Sequence, residues 1–348
     1  MTKLFFLNKM NFKKSLMMKM FLMTLIFSTM ITINSSSWLN AWMGMEINLM
    51  SFIPLMMNKS KMKISSSMMI YFIIQASASS MLLMLIIMTK IQFNFIKMNL
   101  INIMIQLSLL VKLGAAPLHW WMPKILINLN WMNCFILLTW QKIAPLFLLI
   151  MTNNNFMIYL MSMFSTYMGA LLGMNQTSIK LILMYSSINH LGWMLMLINL
   201  NIKMLMIYFL IYMVTNYLIC LMMNNFKFNY LNQLFKNNNQ NMINKIMILS
   251  LFLSLSGLPP FLGFLPKILT LIIMINNKLI MESVLFIIMA TISLSFYINP
   301  LISMFMIMKI NNKWNNKNYM INLKMFNIIM INIMMMMIII MPMMNNLA

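Results

Sequence analysis

Residues 111–145 read VKLGAAPLHWWMPKILINLNWMNCFILLTWQKIAP. Two lysines, Lys112 and Lys142, sit inside runs that otherwise read as membrane-crossing. Between them lies a Gly/Pro/His break, Gly114 to Pro117 and then His119. A lysine near the centre of a bilayer costs about 2.5–3.5 kcal/mol on insertion scales, so such a residue marks a functional site by default. Two of them around a broken helix point to a pathway for charge.

Working outward, 62% of the 348 residues are hydrophobic and only 7% are charged, where a soluble domain carries roughly a quarter charged residues. Apolar runs near the ~20 residues that cross a bilayer recur along the chain. Backbone groups in lipid must be satisfied internally, which leaves helices or a closed barrel. The runs are continuous rather than alternating, so the expected fold is an all-α, polytopic membrane protein.

The usage carries a second message. There are 54 Met, no Arg and no Asp, with seven Gly and nine Pro. Phe, Ile, Met, Asn, Lys and Tyr abound, the residues whose codons begin with two A/T bases. Met at this level implies that ATA also encodes it, as in animal mitochondria. The formal charge of +22 is then largely genomic drift and is no nucleic-acid footprint. Cys134 and Cys220 lie in apolar runs without a CxxC spacing, and read as buried small hydrophobes.

About eleven spans are expected. They cover residues 15–34, 37–57, 66–89, 99–126, 131–151, 155–174, 178–199, 202–223, 246–275, 279–304 and 326–344. The first reads as a retained helix, since no small-residue cleavage site follows it. The fourth and ninth are too long for one straight crossing, and break at Gly114/Pro117 and at Gly257/Pro259/Pro260. With the N-terminus on the side of synthesis, seventeen of the 24 lysines collect there and only four opposite, a strong positive-inside bias. The C-terminus then lies outside, and the basic loops face anionic lipid such as cardiolipin.

Three lysines remain for the interior: Lys112, Lys142 and Lys267. Only two acids exist, Glu46 within the second span and Glu282 at the start of the tenth. Lys278, four residues earlier, accounts for Glu282 as a helix-end pair. Paired interrupted helices in two halves of a transporter are the best sequence pointer to its site. If Glu46 approaches one lysine, moving that carboxylate changes the lysine's proton affinity, which makes a switchable proton site. His119 follows the first break, and His190 sits in the polar seam Tyr185-Ser186-Ser187-Ile188-Asn189-His190. Proton relay through His119, His190 and Ser187 competes with plain interhelical hydrogen bonding. The histidines lack a third metal ligand. No GxGxxG loop, Cys cluster or phosphate motif gives redox chemistry a foothold, so neither cofactor nor metal is expected.

Five stretches together resemble one family: WMGMEINLMSFIPLM (42–56), VKLGAAPLHWWMP (111–123), MNCFILLTWQKIAP (132–145), NQTSIKLILMYSSINHLGWM (175–194) and SLSGLPPFLGFLPK (254–267). They are similar to the mitochondrial NADH–ubiquinone oxidoreductase chain 2 family, antiporter-like membrane subunits of respiratory complex I. The resemblance implies one antiporter-like domain over residues 1–348, built of inverted five-helix repeats with halves at about 66–223 and 243–348 after two N-terminal helices. It places the family's functional glutamate and lysines on Glu46, Lys112, Lys142 and Lys267. Where the family often carries an acid after its HxWxP motif, this chain has Lys124.

The expected role is a core subunit of the proton-pumping NADH:ubiquinone oxidoreductase in the mitochondrial inner membrane, N-terminus in the matrix and C-terminus in the intermembrane space. Its partners would be other membrane-arm subunits and anionic lipid. Protons would pass from Lys112 to Lys142 to Lys267, with Glu46 tuning the first. Two alternatives stand beside it: a stand-alone cation/proton antiporter, and a structural assembly subunit without its own proton path.

Overall fold

The computed structural model describes residues 2–57, 62–91, 95–152, 155–231, 233, 242–259 and 261–310. Helices α1 (Thr2–Ile33), α2 (Trp38–Met56), α3 (Met62–Ile91), α4 (Phe95–Leu113), α5 (Trp121–Leu126), α6 (Trp131–Leu138), α7 (Trp140–Ile150) and α8 (Asn155–Gly173) come first. There follow α9 (Ile179–Leu200), α10 (Ile202–Phe226), α11 (Met242–Ser256), α12 (Phe264–Asn276) and α13 (Ile280–Ile310). Among the described residues six helical stretches are long and apolar enough to cross a membrane. The protein is all-α and polytopic, as its hydropathy requires. The expected eleventh span, 326–344, and Pro260 lie outside the described residues.

Among the described residues, uninterrupted spans and helices coincide to within about six residues, except that α1 begins at Thr2, thirteen residues before the expected start at 15. The fourth run stops at Leu113. Gly114 takes a left-handed φ of 67°, and the Ala116–Pro117 peptide is cis. The chain resumes as the single short turn pair of α5. The ninth run divides the same way, with Gly257 at φ 78° between α11 and α12. The fifth run holds a break that its sequence does not announce: Thr139 leaves helical geometry at φ −121°, ψ −67° and separates α6 from α7. Its hydroxyl bonds back to the Phe135 carbonyl at 2.7 Å, a habit that bends helices. Pro145, inside α7, removes the donor that the Gln141 carbonyl would have used.

The chain forms two compact units, residues 1–157 and 158–348. In the first, α1 pairs with α2, α3 packs on α2 and α4, and α7 packs on α4. Gly44 brings α2 against α1, because a Cβ there would stand 2.5 Å from the Thr32 methyl. The Trp42 indole donates to the Ser79 carbonyl at 3.1 Å and ties α2 to α3.

In the second unit, α9 is buried on nearly every side. Two glycines seat it against α8. A Cβ on Gly169 would lie 2.6 Å from the Asn189 amide nitrogen, and one on Gly192 would lie 2.8 Å from the Ser162 carbonyl oxygen. Such small-residue seams supply packing where lipid gives no hydrophobic drive between helices. Glu282, on the first turn of α13, accepts a short hydrogen bond from the Tyr159 hydroxyl of α8. That phenol, with the helix N-terminus, supplies what the sequence assigned to Lys278.

The distribution of side chains is inverted relative to a soluble protein. Met23, Phe27, Phe156, Phe164 and Met281 are exposed, whereas Gln106, Ser187, Asn216, Ser254 and three lysines are buried. Lipid-facing surfaces carry no penalty for apolar side chains, so the interior is left for polar ones.

Candidate functional site

In the first unit, the end of α4 presents Lys112. Its helix must stop there, and the freed carbonyls find donors. The Gly114 amide bonds to Val111 O and the Ala115 amide to Leu110 O, each at 3.1 Å. The Trp121 indole also reaches Val111 O at 3.2 Å, and the Gln75 amide reaches Lys112 O at 3.3 Å. A Cβ on Gly114 would strike the Met122 side chain at 2.5 Å, so the turn needs glycine for space as well as for its φ. The break is therefore held in place by side chains from α3 and α5.

The Lys112 side chain is 7% exposed, and its ammonium lies 3.7 Å from the Met45 sulfur on α2. Glu46, the next residue, is half-buried, and its charge acts on Lys112. Lys142 is buried more completely, at 1% exposure, three residues past the Thr139 break.

Both lysines line one cavity, with Asn48, Tyr71, Gln75, Gln141 and Pro145 among its other walls. A water centre can occupy about 20 Å³ of it, room for roughly one or two waters. Its polar walls are joined. The Gln141 amide donates to Asn48 Oδ1 at 3.1 Å, and the Tyr71 hydroxyl points to Gln141 Oε1 at 3.4 Å. At one end of the same unit, the Asn133 amide caps the Leu55 carbonyl at 2.7 Å.

The structure thus brings Lys112 and Lys142 to one cavity, and the charge of Glu46 reaches the first. His119 is buried on the break segment but does not line this cavity. Sequence reasoning missed Asn48, Tyr71, Gln75 and Gln141. A signal was present: Tyr71 and Gln75 stand four apart, on one face of α3, and Gln141 adjoins Lys142.

The second unit holds the other predicted residues. Lys267, on the first turn of α12, is buried and donates to the Ser256 carbonyl at 2.8 Å, the last residue of α11. Its aliphatic chain lies across Gly257, where a Cβ would stand 2.8 Å from the lysine Cδ. Pro259 is exposed on the loop.

His190 is buried, and its Nδ1 lies 2.8 Å from the Tyr208 hydroxyl on α10. The Tyr212 ring is 5.3 Å away, and its hydroxyl is hydrogen-bonded with Ser187. Tyr297 on α13 is hydrogen-bonded with Ser186. Tyr208, Tyr212 and Asn216 recur every four residues, one polar stripe on α10 that the sequence displays and composition hides. Among the described residues, no group of three His, Cys, Asp or Glu side chains could hold a metal ion.

Three lysines are thus buried at or near helix breaks, one of them under the influence of a carboxylate. Comparison with known proteins gives the family. Residues 35–294 match the family model of the NADH:quinone oxidoreductase/Mrp antiporter transmembrane subunits. NADH-ubiquinone oxidoreductase chain 2 of Anopheles gambiae is 44% identical over 88% of this chain and 91% of its own length. The chain belongs to the NADH-ubiquinone oxidoreductase chain 2 family. Its fold is shared more widely. A chain of respiratory complex I from Thermus thermophilus superposes with a TM-score of 0.77 at 19% identity, over 83% of this chain and 70% of that one. A chain of the Mrp complex from Dietzia sp. does so with a TM-score of 0.75 at 13% identity, over 82% and 60%.

Proposed function

We propose that this chain is an antiporter-like core subunit of the membrane arm of respiratory complex I, and that it carries a proton path through Glu46, Lys112, Lys142 and Lys267. The observation that supports this reading above all is the shared cavity of Lys112 and Lys142, with Glu46 acting on the first. Protons pass from Lys112 to Lys142 and on to Lys267, with His190 and Ser187 as relay groups of the second unit and His119 as a group of the first break. The repeat-like halves, about 66–223 and 243–348, each contribute a helix broken at a glycine, Gly114 and Gly257. The subunit lies in the mitochondrial inner membrane with its N-terminus in the matrix, its basic loops against anionic lipid and its partners the other membrane-arm subunits. The chain binds neither cofactor nor nucleic acid, so NADH oxidation and quinone reduction belong to those partners and supply the work. Each charge moved against the potential costs about 2.3 kcal/mol per 100 mV.

Replacing Lys142 with Met leaves an unbranched buried side chain one atom shorter and removes its proton site. Assembled complex with Lys142→Met is expected to lose NADH-driven proton pumping, read by acidification of the external medium. Full pumping by such an enzyme would sink the relay. The likeness to an Mrp chain keeps a stand-alone cation/proton antiporter as the second reading. Native gel electrophoresis with NADH-activity staining separates the two, because only the first places this chain in a large NADH-oxidising band.

A further inference from the structure

Between Lys112 and Lys142 the cavity has room for about one or two waters. Its walls therefore decide whether a proton can cross. Asn48, Gln75 and Gln141 present carboxamides, each with a fixed acceptor oxygen and a fixed donor nitrogen; they orient a water but do not pass a proton on. Trp121 offers a donor only, and Met45 and Met122 offer weak sulfur acceptors. Among the cavity-lining residues apart from the lysines, Tyr71 alone has a side-chain group that can gain one proton while losing another.

We infer that Tyr71 is the hydroxyl through which a proton crosses between Lys112 and Lys142, and that Gln141 holds it out of line between transfers. This rests on the proton-path reading given above. In the step, the Lys112 ammonium gives a proton, directly or through a water, to the Tyr71 oxygen as that oxygen releases its own toward the Lys142 amine. One O–H bond forms as one breaks, Lys112 ends as the amine and Lys142 as the ammonium, and the phenol is unchanged. At rest the hydroxyl faces Gln141 Oε1 at 3.4 Å, and Gln141 is itself anchored by Asn48 at 3.1 Å. Asn48 lies two residues from Glu46, on the same helix. A shift of α2 that moves the carboxylate thus also loosens the hydroxyl's parking place. The Tyr71 ring is fixed independently, edge-on to Phe52 with centroids 5.2 Å apart and 6.2 Å from Trp121. Tyr71→Phe therefore removes the oxygen and leaves the ring seated.

The test uses inner-membrane vesicles holding the assembled complex, with rates divided by NADH reduction of an artificial acceptor to count assembled enzyme. Tyr71→Phe is expected to lower NADH-driven proton uptake about a hundredfold, the low end of what one positioned proton-transfer group contributes. It is also expected to raise the solvent deuterium isotope effect on turnover, which a packing defect would not do. Gln141→Met leaves the hydroxyl unparked and is expected to reduce the proton gradient sustained at a given NADH turnover, with the isotope effect unaltered. Tyr71→Phe enzyme that pumps at the wild-type rate with the wild-type isotope effect overturns the relay. If Tyr71→Phe fails to assemble, Gln141→Met enzyme with a wild-type gradient does so instead. Lys142→Met, measured alongside, separates the levels. Loss of pumping there with retention in Tyr71→Phe removes the relay alone, and full pumping in both removes the proton path beneath it.

Discussion

Gly257→Ala places one methyl group where the second break and Lys267 meet. Two costs follow. The φ of 78° is left-handed, which burdens an L-residue with roughly 1–2 kcal/mol. The new Cβ would also stand 2.8 Å from Lys267 Cδ and 3.1 Å from its Nζ, so the side chain must move by a few tenths of an ångström. Its 2.8 Å bond to the Ser256 carbonyl is charge-assisted when the lysine is protonated, and bonds of that kind contribute about 1.5–3 kcal/mol. Together the penalties reach about 2.5–5 kcal/mol. The first falls on folding and assembly, the second on proton transfer, where misplacement by about 1 Å can cost 10²-fold. Native gels read the first and NADH-driven pumping per assembled enzyme reads the second. Gly257→Asn divides them, because Asn tolerates the left-handed region but carries the same Cβ: it is expected to restore much of the assembly and little of the pumping. Gly257→Ala enzyme that assembles and pumps like wild type would refute the argument that this glycine seats Lys267.

Three other substitutions extend the reasoning. Gly263→Ala would set a Cβ 1.7 Å from the Ser254 carbonyl oxygen, a contact between backbones with nothing to swing aside, so no assembled complex is expected on native gels. Asn133→Leu removes the donor on the Leu55 carbonyl and is expected to destabilise by about 1–3 kcal/mol, seen as a lower thermal inactivation midpoint with pumping per assembled enzyme preserved. Tyr208→Phe takes the hydroxyl from His190 Nδ1. It is expected to reduce pumping per NADH oxidised, by less than Lys142→Met does, in the same acidification assay.

Most of the helical framework could be read from hydropathy, since a long apolar run in lipid has few structures open to it. The breaks at Gly114 and Gly257 were legible because glycine is scarce in this chain and each stands near proline. The Thr139 break was not: threonine followed by tryptophan is ordinary helix sequence, and the bend arises from a side-chain bond to the preceding turn, which no spacing rule reveals. The lysines stood out because charge is rare here. Asn48, Tyr71, Gln75 and Gln141 did not, because Asn and Tyr belong to the A+T-rich background, which drowns the spacing of Tyr71 and Gln75 and the adjacency of Gln141 to Lys142. Glu282 shows the opposite error. The sequence offered Lys278 at helical spacing, but the partner came from α8, and tertiary proximity outran the local rule.

The two glycine contacts between α8 and α9 bear on how this subunit can move. Gly169 meets the Asn189 amide and Gly192 meets the Ser162 carbonyl, backbone against backbone at two levels of one seam. A helix so seated has no clearance for translation: sliding by a single residue would drive a side chain into the space of a missing one. α8 and α9 therefore behave as one plank. The approach to Lys267 is held in the same manner, since Gly263 abuts the Ser254 carbonyl, backbone against backbone.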